Sequence, residues 1–397
     1  MKVLVSAYQC APGHGGEIGN GWMWSTALAD YGHEVTVLTH AEFKDRAEAG
    51  GRTDIDFRFL DVPGIPLGRL IGLDGYDAYR RWQNGAYDYA AALGTDWDVV
   101  HHVGWGSLHL GSRLWRLDAP LVYGPIGGGQ TAPSGYWRYF GRDWAKEFAR
   151  STATGSLLTL NGWTKETLRE SAVVLVTNSA TEAAARRFGA RDVRYFLAEG
   201  LPEEWIGAPR QRPAGVPLVL WVGRMLPRKA PVLAVKAFAE LRKTTQARLV
   251  MAGDGPLLPQ VQAAVEELGL TGDVDLLGRV PWTKLAEFYS SASLFLFCSL
   301  RDSSSAQFLE AMGKGLPATM LDLHGMADVK VGIAAEKVPL SRKPDELPAQ
   351  LAAAMRDVLT ADDWEARSAA AIEWASEHTF PSKAAAASRI YQEVTAR

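Results

Sequence analysis

Asp302, Ser303, Ser304, Ser305 and Glu310 follow directly on the apolar run Ser293-Leu294-Phe295-Leu296-Phe297-Cys298. That run has the length of a buried strand, and Gly313, Gly315 and Pro317 stop whatever follows it. The order predicts a strand, a polar turn and a short helix from about Ser304 to Met312. Such a turn offers unpaired backbone N–H groups at the positive end of a helix dipole, which suits phosphate or sugar oxygens. Asp302 and Glu310 are separated by about two helical turns, a rise of roughly 12 Å, so their carboxylates can reach opposite ends of one extended ligand. A local explanation competes: Ser304 with Gln307 makes a capping box, and Asp302 is a common turn residue.

Cations lie at a second strand end. Gly223 and Arg224 close the run Leu218-Val219-Leu220-Trp221-Val222, and Arg228 and Lys229 follow shortly after. An Arg fork with a Lys point charge is a sound clamp for a diphosphate, set against the usual role of such residues in surface ion pairs. Gly278-Arg279-Val280 ends another strand, where backbone groups can read a base edge. Ala252-Gly253-Asp254-Gly255-Pro256 reads as a structural turn.

The elements that must position these residues alternate. Lys2–Tyr8 reads as a buried strand, followed by a glycine-rich turn (Ala11 to Gly21), a helix through Ala29 and the strand Glu34–Leu38. No register of the turn fits strict G-x-G-x-x-G, and Thr39-His40 rather than an acid ends the second strand, which argues against a nicotinamide or flavin site. Further strands are expected at 98–103, 120–123, 172–177, 248–255 and 274–278, with helices between them. Alternation of this kind specifies parallel, doubly wound sheets. Four prolines and three glycines between about 199 and 217 read as a linker. The expected organisation is a Rossmann-like domain over 1–200, a linker over 201–217, a second Rossmann-like domain over 218–380 and a C-terminal helix, 381–397, returning to the first. Two such domains would put their glycine turns on one interdomain cleft.

Bulk properties agree with this. A chain of 397 residues is too long for one core. A net charge of −3 gives no electrostatic case for nucleic acid. Two cysteines, Cys10 and Cys298, exclude a disulfide framework and read as small buried residues. No apolar run approaches the roughly 20 residues needed to span a bilayer, so a cytoplasmic protein with no obligate membrane insertion is expected. No His/Cys cluster has zinc spacing, so neither a metal nor another cofactor is expected.

Val222-Gly223-Arg224…Arg228-Lys229, Ala252-Gly253-Asp254-Gly255-Pro256, Leu277-Gly278-Arg279-Val280 and Leu309-Glu310-Ala311-Met312…Gly315-Leu316-Pro317 together resemble the retaining glycosyltransferases of GT-B fold known as family four. Ser6 to Gly13, Gly19-Asn20-Gly21-Trp22 and Gly124 to Gly129 resemble a bacterial subgroup found in exopolysaccharide and natural-product glycosylation. The resemblance implies that Glu310 binds the ribose hydroxyls and that Asp302 holds the hydroxyls of the donor sugar. Arg224 and Lys229 would bind the diphosphate beside Gly223, Ser303, Ser304 and Ser305, with Arg279 and Val280 near the base. Gly15 and Gly16 would let the first domain approach the phosphates, and His102, or its neighbour His101, would be the active-site histidine. Asp302 departs from the family's Glu, Ser304-Ser305-Ala306 from its Gly-Phe-Gly-like run, and His-His-Val from its commoner His-x-His.

The implied activity is metal-independent transfer from a nucleotide-diphosphate sugar, UDP being favoured, to a natural-product or glycan acceptor. A sugar-nucleotide 2-epimerase and a non-catalytic sugar-nucleotide binding protein are the alternatives. The aromatic stretch Tyr136 to Trp144 would either stack on an acceptor, touch a membrane surface or simply pack.

Overall fold

The computed structural model describes residues 1–13, 15–62, 74–160 and 162–397; His14 of the first glycine-rich turn lies outside them. The chain divides into two compact units. One comprises Met1–Gly129, Ala153–Gly200 and Phe380–Arg397, and the other Gln130–Thr152 and Leu201–Thr379.

The first unit is built on a seven-stranded parallel sheet. Its strands are β1 (Lys2–Ala7), β2 (Glu34–His40), β3 (Asp56–Leu60), β4 (Val99–Gly104), β5 (Leu121–Ile126), β6 (Val173–Val176) and β7 (Val193–Tyr195), in the order β3-β2-β1-β4-β5-β6-β7. β1, β4, β5 and β6 are apolar almost throughout and buried, as strands covered by helices on both faces must be. The C-terminal helix Phe380–Thr395 belongs to this unit: Tyr391 is fully buried, and its hydroxyl meets His101 Nδ1 at 2.6 Å.

The second unit carries a six-stranded parallel sheet: β8 (Leu218–Val222), β9 (Arg248–Ala252), β10 (Val274–Gly278), β11 (Leu294–Phe297), β12 (Ala318–Asp322) and β13 (Ala335–Pro339). Their order is β10-β9-β8-β11-β12-β13. Both sheets are thus Rossmann-like, and each reverses its winding beside its first strand. β3, β7, β12 and β13 were not foreseen among the expected strands. β3 and β13 are edges that carry charges (Asp56 and Arg58, Glu336 and Lys337), so neither reads as an apolar run. No helix among the described residues is long and apolar enough to cross a membrane. Cys10 and Cys298 are free and buried, and burial pushes both thiols up to about 12.

Residues 201–217 are no bare connector. Leu201 bridges Thr379, the Trp205 indole stacks on Trp282 at 4.3 Å, and Arg210 donates its N–H to Ser368 at 2.9 Å. The aromatic stretch packs in part. Tyr136 and Phe140 enter the second unit's core and the Tyr136 hydroxyl donates to the Ser341 carbonyl at 2.8 Å, while Trp137 stays half exposed.

A close backbone approach fixes the start of the loop after β8. Gly253 has φ +147°, and a Cβ there would lie 1.8 Å from the Gly223 carbonyl oxygen. Gly253→Ala should therefore cost at least about 3 kcal/mol in guanidinium unfolding, because backbone rather than a side chain has to move. Gly272→Ala, where a Cβ meets nothing within 4 Å, is the control and should fall within about 0.5 kcal/mol of the parent. Equal effects at the two positions would refute the close-approach argument.

Candidate active site

In an open parallel sheet ligands bind beyond the carboxyl ends of the strands, where the strand order reverses. In the second sheet that point lies between β8 and β11. The loop after β8 carries Gly223, Arg224, Arg228 and Lys229, and the loop after β11 carries Arg301, Asp302, Ser303, Ser304 and Ser305. Topology therefore brings together the two stretches with the most chemistry in the sequence.

The contacts are direct. The Lys229 ammonium pairs with Asp302; the lysine side chain is buried and the aspartate's nearly so, at 8% and 12% exposure. Arg228 Nη1 approaches the other Asp302 oxygen at 3.3 Å. Lys229 Nζ also donates to Gln307 Oε1 at 3.3 Å and lies 5.2 Å from the centre of the Phe297 ring. Lys229 and Asp302 were expected to serve different parts of one ligand; in the structure each is the other's partner. Arg224 is exposed, and no ion-pair partner for it occurs among the described residues.

The polar turn ends in the helix Ala306–Gly313. Its cap is Ser305, one residue later than the expected Ser304, with Oγ accepting from the Phe308 N–H at 3.3 Å. Gln307 sits too early in the helix to complete a capping box and turns to Lys229 instead.

Glu310 lies on this helix, 7% exposed. The Trp282 indole N–H donates to Glu310 Oε1 at 2.9 Å and the Tyr289 hydroxyl to Oε2 at 2.8 Å. Trp205 holds the same residue from its backbone side, donating to the Glu310 carbonyl at 3.0 Å. Burial and then the Glu310 carboxylate hold the Tyr289 phenol well above its ordinary value, so it remains a donor. Of the segment after β10 it is Trp282 that reaches Glu310, whereas Arg279 is exposed and Val280 half-buried.

Several partners were not read from the sequence. Arg301 Nε lies 2.8 Å from Glu147 Oε1, and Arg150 Nη2 donates to the same oxygen at 2.7 Å. Burial first, then Arg150, lowers the Arg301 pKa, with Arg228 acting in the same direction. Four cations (Arg150, Arg228, Lys229 and Arg301) thus face two carboxylates, Glu147 and Asp302, around this turn. Glu147 and Arg150 come from a segment 150 residues upstream with no strand-end signature, so no local pattern marks them.

In the first sheet the reversal lies between β1 and β4. Gly15 and Gly16 open the helix Gly16–Asp30, and a Cβ on either would meet nothing within 4 Å. Gly16 is nonetheless required by its φ of +66°. His101 and His102 on β4 are both fully buried, so His102 is not presented to solvent as a catalytic side chain would be. His101 Nε2 meets the Gly124 carbonyl at 2.8 Å, and His102 Nε2 meets the Tyr79 hydroxyl at 3.1 Å.

Against this geometry the comparisons with known proteins are consistent. The signature of the glycosyl transferases group 1 matches residues 206–371, and that of the glycosyl transferase 4-like domain matches residues 22–200. The chain belongs to family four of the glycosyltransferases, of GT-B fold. It is 33% identical over 121 residues to a D-inositol 3-phosphate glycosyltransferase of Nocardia farcinica, a match covering 28% of this chain and 27% of the relative. The first curated relatives are matched over little more than a quarter of their length. Among solved structures, sucrose-phosphate synthase from Thermosynechococcus elongatus superposes over 100% of both chains with a TM-score of 0.70 at 21% identity. Anabaena HepE in complex with UDP-glucose superposes over 98% of this chain and 99% of its own, with a TM-score of 0.63 at 16% identity.

The buried histidines have a pH consequence. Desolvation lowers His101 to about 4 and His102 to about 3 from an ordinary 6.5, so both are neutral in the folded protein at pH 7. The unfolded chain protonates them first as pH falls, so their contribution is intact above about 6.5 and is lost toward 4. Each imidazole contributes a slope of about 1.4 kcal/mol per pH unit within that window. The Glu17 carboxyl, raised to about 7 by desolvation and by Glu199, acts in the opposite sense, weakly because the residue is solvent-accessible. Unfolding free energy should fall steadily from pH 6.5 to 4.5, and less steeply in His102→Gln. A profile flat over that range would show that these imidazoles protonate while folded.

Proposed function

We propose that the chain is a retaining glycosyltransferase that moves a sugar from a nucleotide-diphosphate donor, with UDP as the nucleotide, to a hydroxyl of a natural-product or glycan acceptor. The observation that carries this reading is the excess of cations gathered at the reversal point of the second sheet, with buried Glu310 on the adjoining helix. Arg224 and Lys229 would take the diphosphate, together with backbone N–H groups of the 303–305 turn. Glu310 would accept from the ribose hydroxyls and Asp302 from hydroxyls of the donor sugar. The UDP-glucose bound by the HepE structure supports a donor of this class.

The chemistry then follows from charge. The bond between the anomeric carbon and the diphosphate oxygen breaks, and its electron pair leaves on the diphosphate. Arg224, Lys229 and the surrounding arginines stabilise that charge, and a preorganised set of this kind is worth several kcal/mol of barrier. The acceptor oxygen attacks from the face the diphosphate leaves, and its proton passes to a leaving phosphate oxygen, so configuration is retained. No step runs through His102, which is neutral and enclosed.

A thermal-shift panel of UDP, GDP, dTDP and ADP in the presence of EDTA tests this. One nucleotide, expected to be UDP, should raise Tm at micromolar to millimolar concentration, because a ligand that binds only the folded state stabilises it. Glu310→Gln keeps the residue's volume and should weaken the affinity read from that shift by about tenfold, the equivalent of one charge-assisted hydrogen bond. If all four leave Tm unmoved, the sugar-nucleotide reading is wrong; a shift that appears only with added Mg²⁺ overturns the metal-free part alone.

A further inference from the structure

The turn after β12 packs directly on the polar turn after β11. A Cβ on Gly325 would lie 1.9 Å from the Ser303 carbonyl oxygen, so the two backbones are in contact. The residue before this glycine is His324, and its backbone is strained. With φ 52° and ψ −129° it lies outside the ordinary left-handed region, in territory that is comfortable for glycine alone. Ala230, beside Lys229, is the other non-glycine residue with positive φ among those described, and at φ 49° and ψ 50° it is an ordinary left-handed residue.

The imidazole gives the fold little in return for that strain. It is hydrogen-bonded to the Thr131 backbone, and its surroundings include Arg301, Asp302 and Arg150. Its Nε2 is buried and has no hydrogen-bond partner among the described residues. A buried ring nitrogen with nothing to bond is unfavourable, and a glycine here would remove both that cost and the strain. Desolvation lowers the His324 pKa and the two arginines act in the same direction, outweighing Asp302, so the ring is neutral at pH 7. A neutral imidazole presents a single uncharged hydrogen-bonding site through Nε2.

We propose that His324 hydrogen-bonds the sugar of the donor through Nε2 and is a specificity-determining residue of the site, acting beside Asp302. Its ligand is a sugar hydroxyl, not the diphosphate, because a neutral ring nitrogen among arginines adds nothing to anion binding. The inference rests on the sugar-nucleotide reading above. It accounts for a strained non-glycine residue held against the 302–305 turn, and it adds a recognition group that no sequence motif marks.

The test compares UDP and UDP-glucose on the wild type, His324→Gly and His324→Asn by calorimetric titration, with Tm measured in parallel. His324→Gly should raise Tm by about 2 °C as the strain is released. It should weaken UDP-glucose about tenfold while leaving UDP within twofold. Asn tolerates positive φ and carries a hydrogen-bonding amide, so it should recover part of the lost affinity. A Gly variant that binds UDP-glucose as the wild type does, or that loses affinity for UDP equally, overturns the proposal. A Gly variant with lowered Tm does so too, since it would make the imidazole structural. A wild type that binds neither compound brings down the reading of UDP as the nucleotide, and this proposal with it.

Discussion

The ion pair between Lys229 and Asp302 is the contact on which the site depends. Neither side chain is more than about an eighth exposed, so each charge has given up most of its water and is compensated by the other. The pair joins the loop after β8 to the loop after β11, the two central strands where the second sheet reverses. Arg228 approaches the same carboxylate from the β8 side, and Gln307 receives Lys229 on the adjoining helix. A displacement of either loop would therefore leave a buried charge unpaired. Substrate binding acts on a network already assembled, which is the condition under which electrostatic stabilisation costs no reorganisation.

Around that pair the two carboxylates of the motif have different environments. Asp302 is surrounded by cations, Lys229 and Arg228, with which any ligand hydroxyl reaching it would have to share it. Glu310 is held by neutral donors, the Trp282 indole and the Tyr289 phenol, and Trp205 secures both Trp282 and the Glu310 backbone. Its rotamer is thus fixed by the protein itself. The segment 201–217 contributes to the site through Trp205, although its proline and glycine content reads as a connector.

Much of this was legible in the sequence because parallel strands buried on both faces are continuous apolar runs. Leu218–Val222 and Leu294–Phe297 announce themselves, and the polar residues immediately after them mark where the sheet can bind. Edge strands escaped for the converse reason: β13 reads Ala-Glu-Lys-Val-Pro, with half its residues facing water. In the site the types were readable and the pairings were not. Spacing along the chain places Lys229 and Asp302 near one sheet edge, but it cannot say that they meet each other. The Glu147–Arg301 contact and the strained His324 depend on packing between segments far apart in sequence, which leaves no local trace. The double histidine could not be resolved from periodicity, because both faces of β4 are buried and either ring would be enclosed.

The most direct test of this account is a double-mutant cycle on Lys229→Met and Asp302→Asn, read by guanidinium unfolding of the ligand-free protein. Each single variant deprives one partner of its main counter-charge and should be destabilised by about 2–4 kcal/mol, while the double variant should recover a coupling of at least about 1.5 kcal/mol. Coupling indistinguishable from zero, with the two effects simply adding, would contradict the claim that this ion pair organises the site.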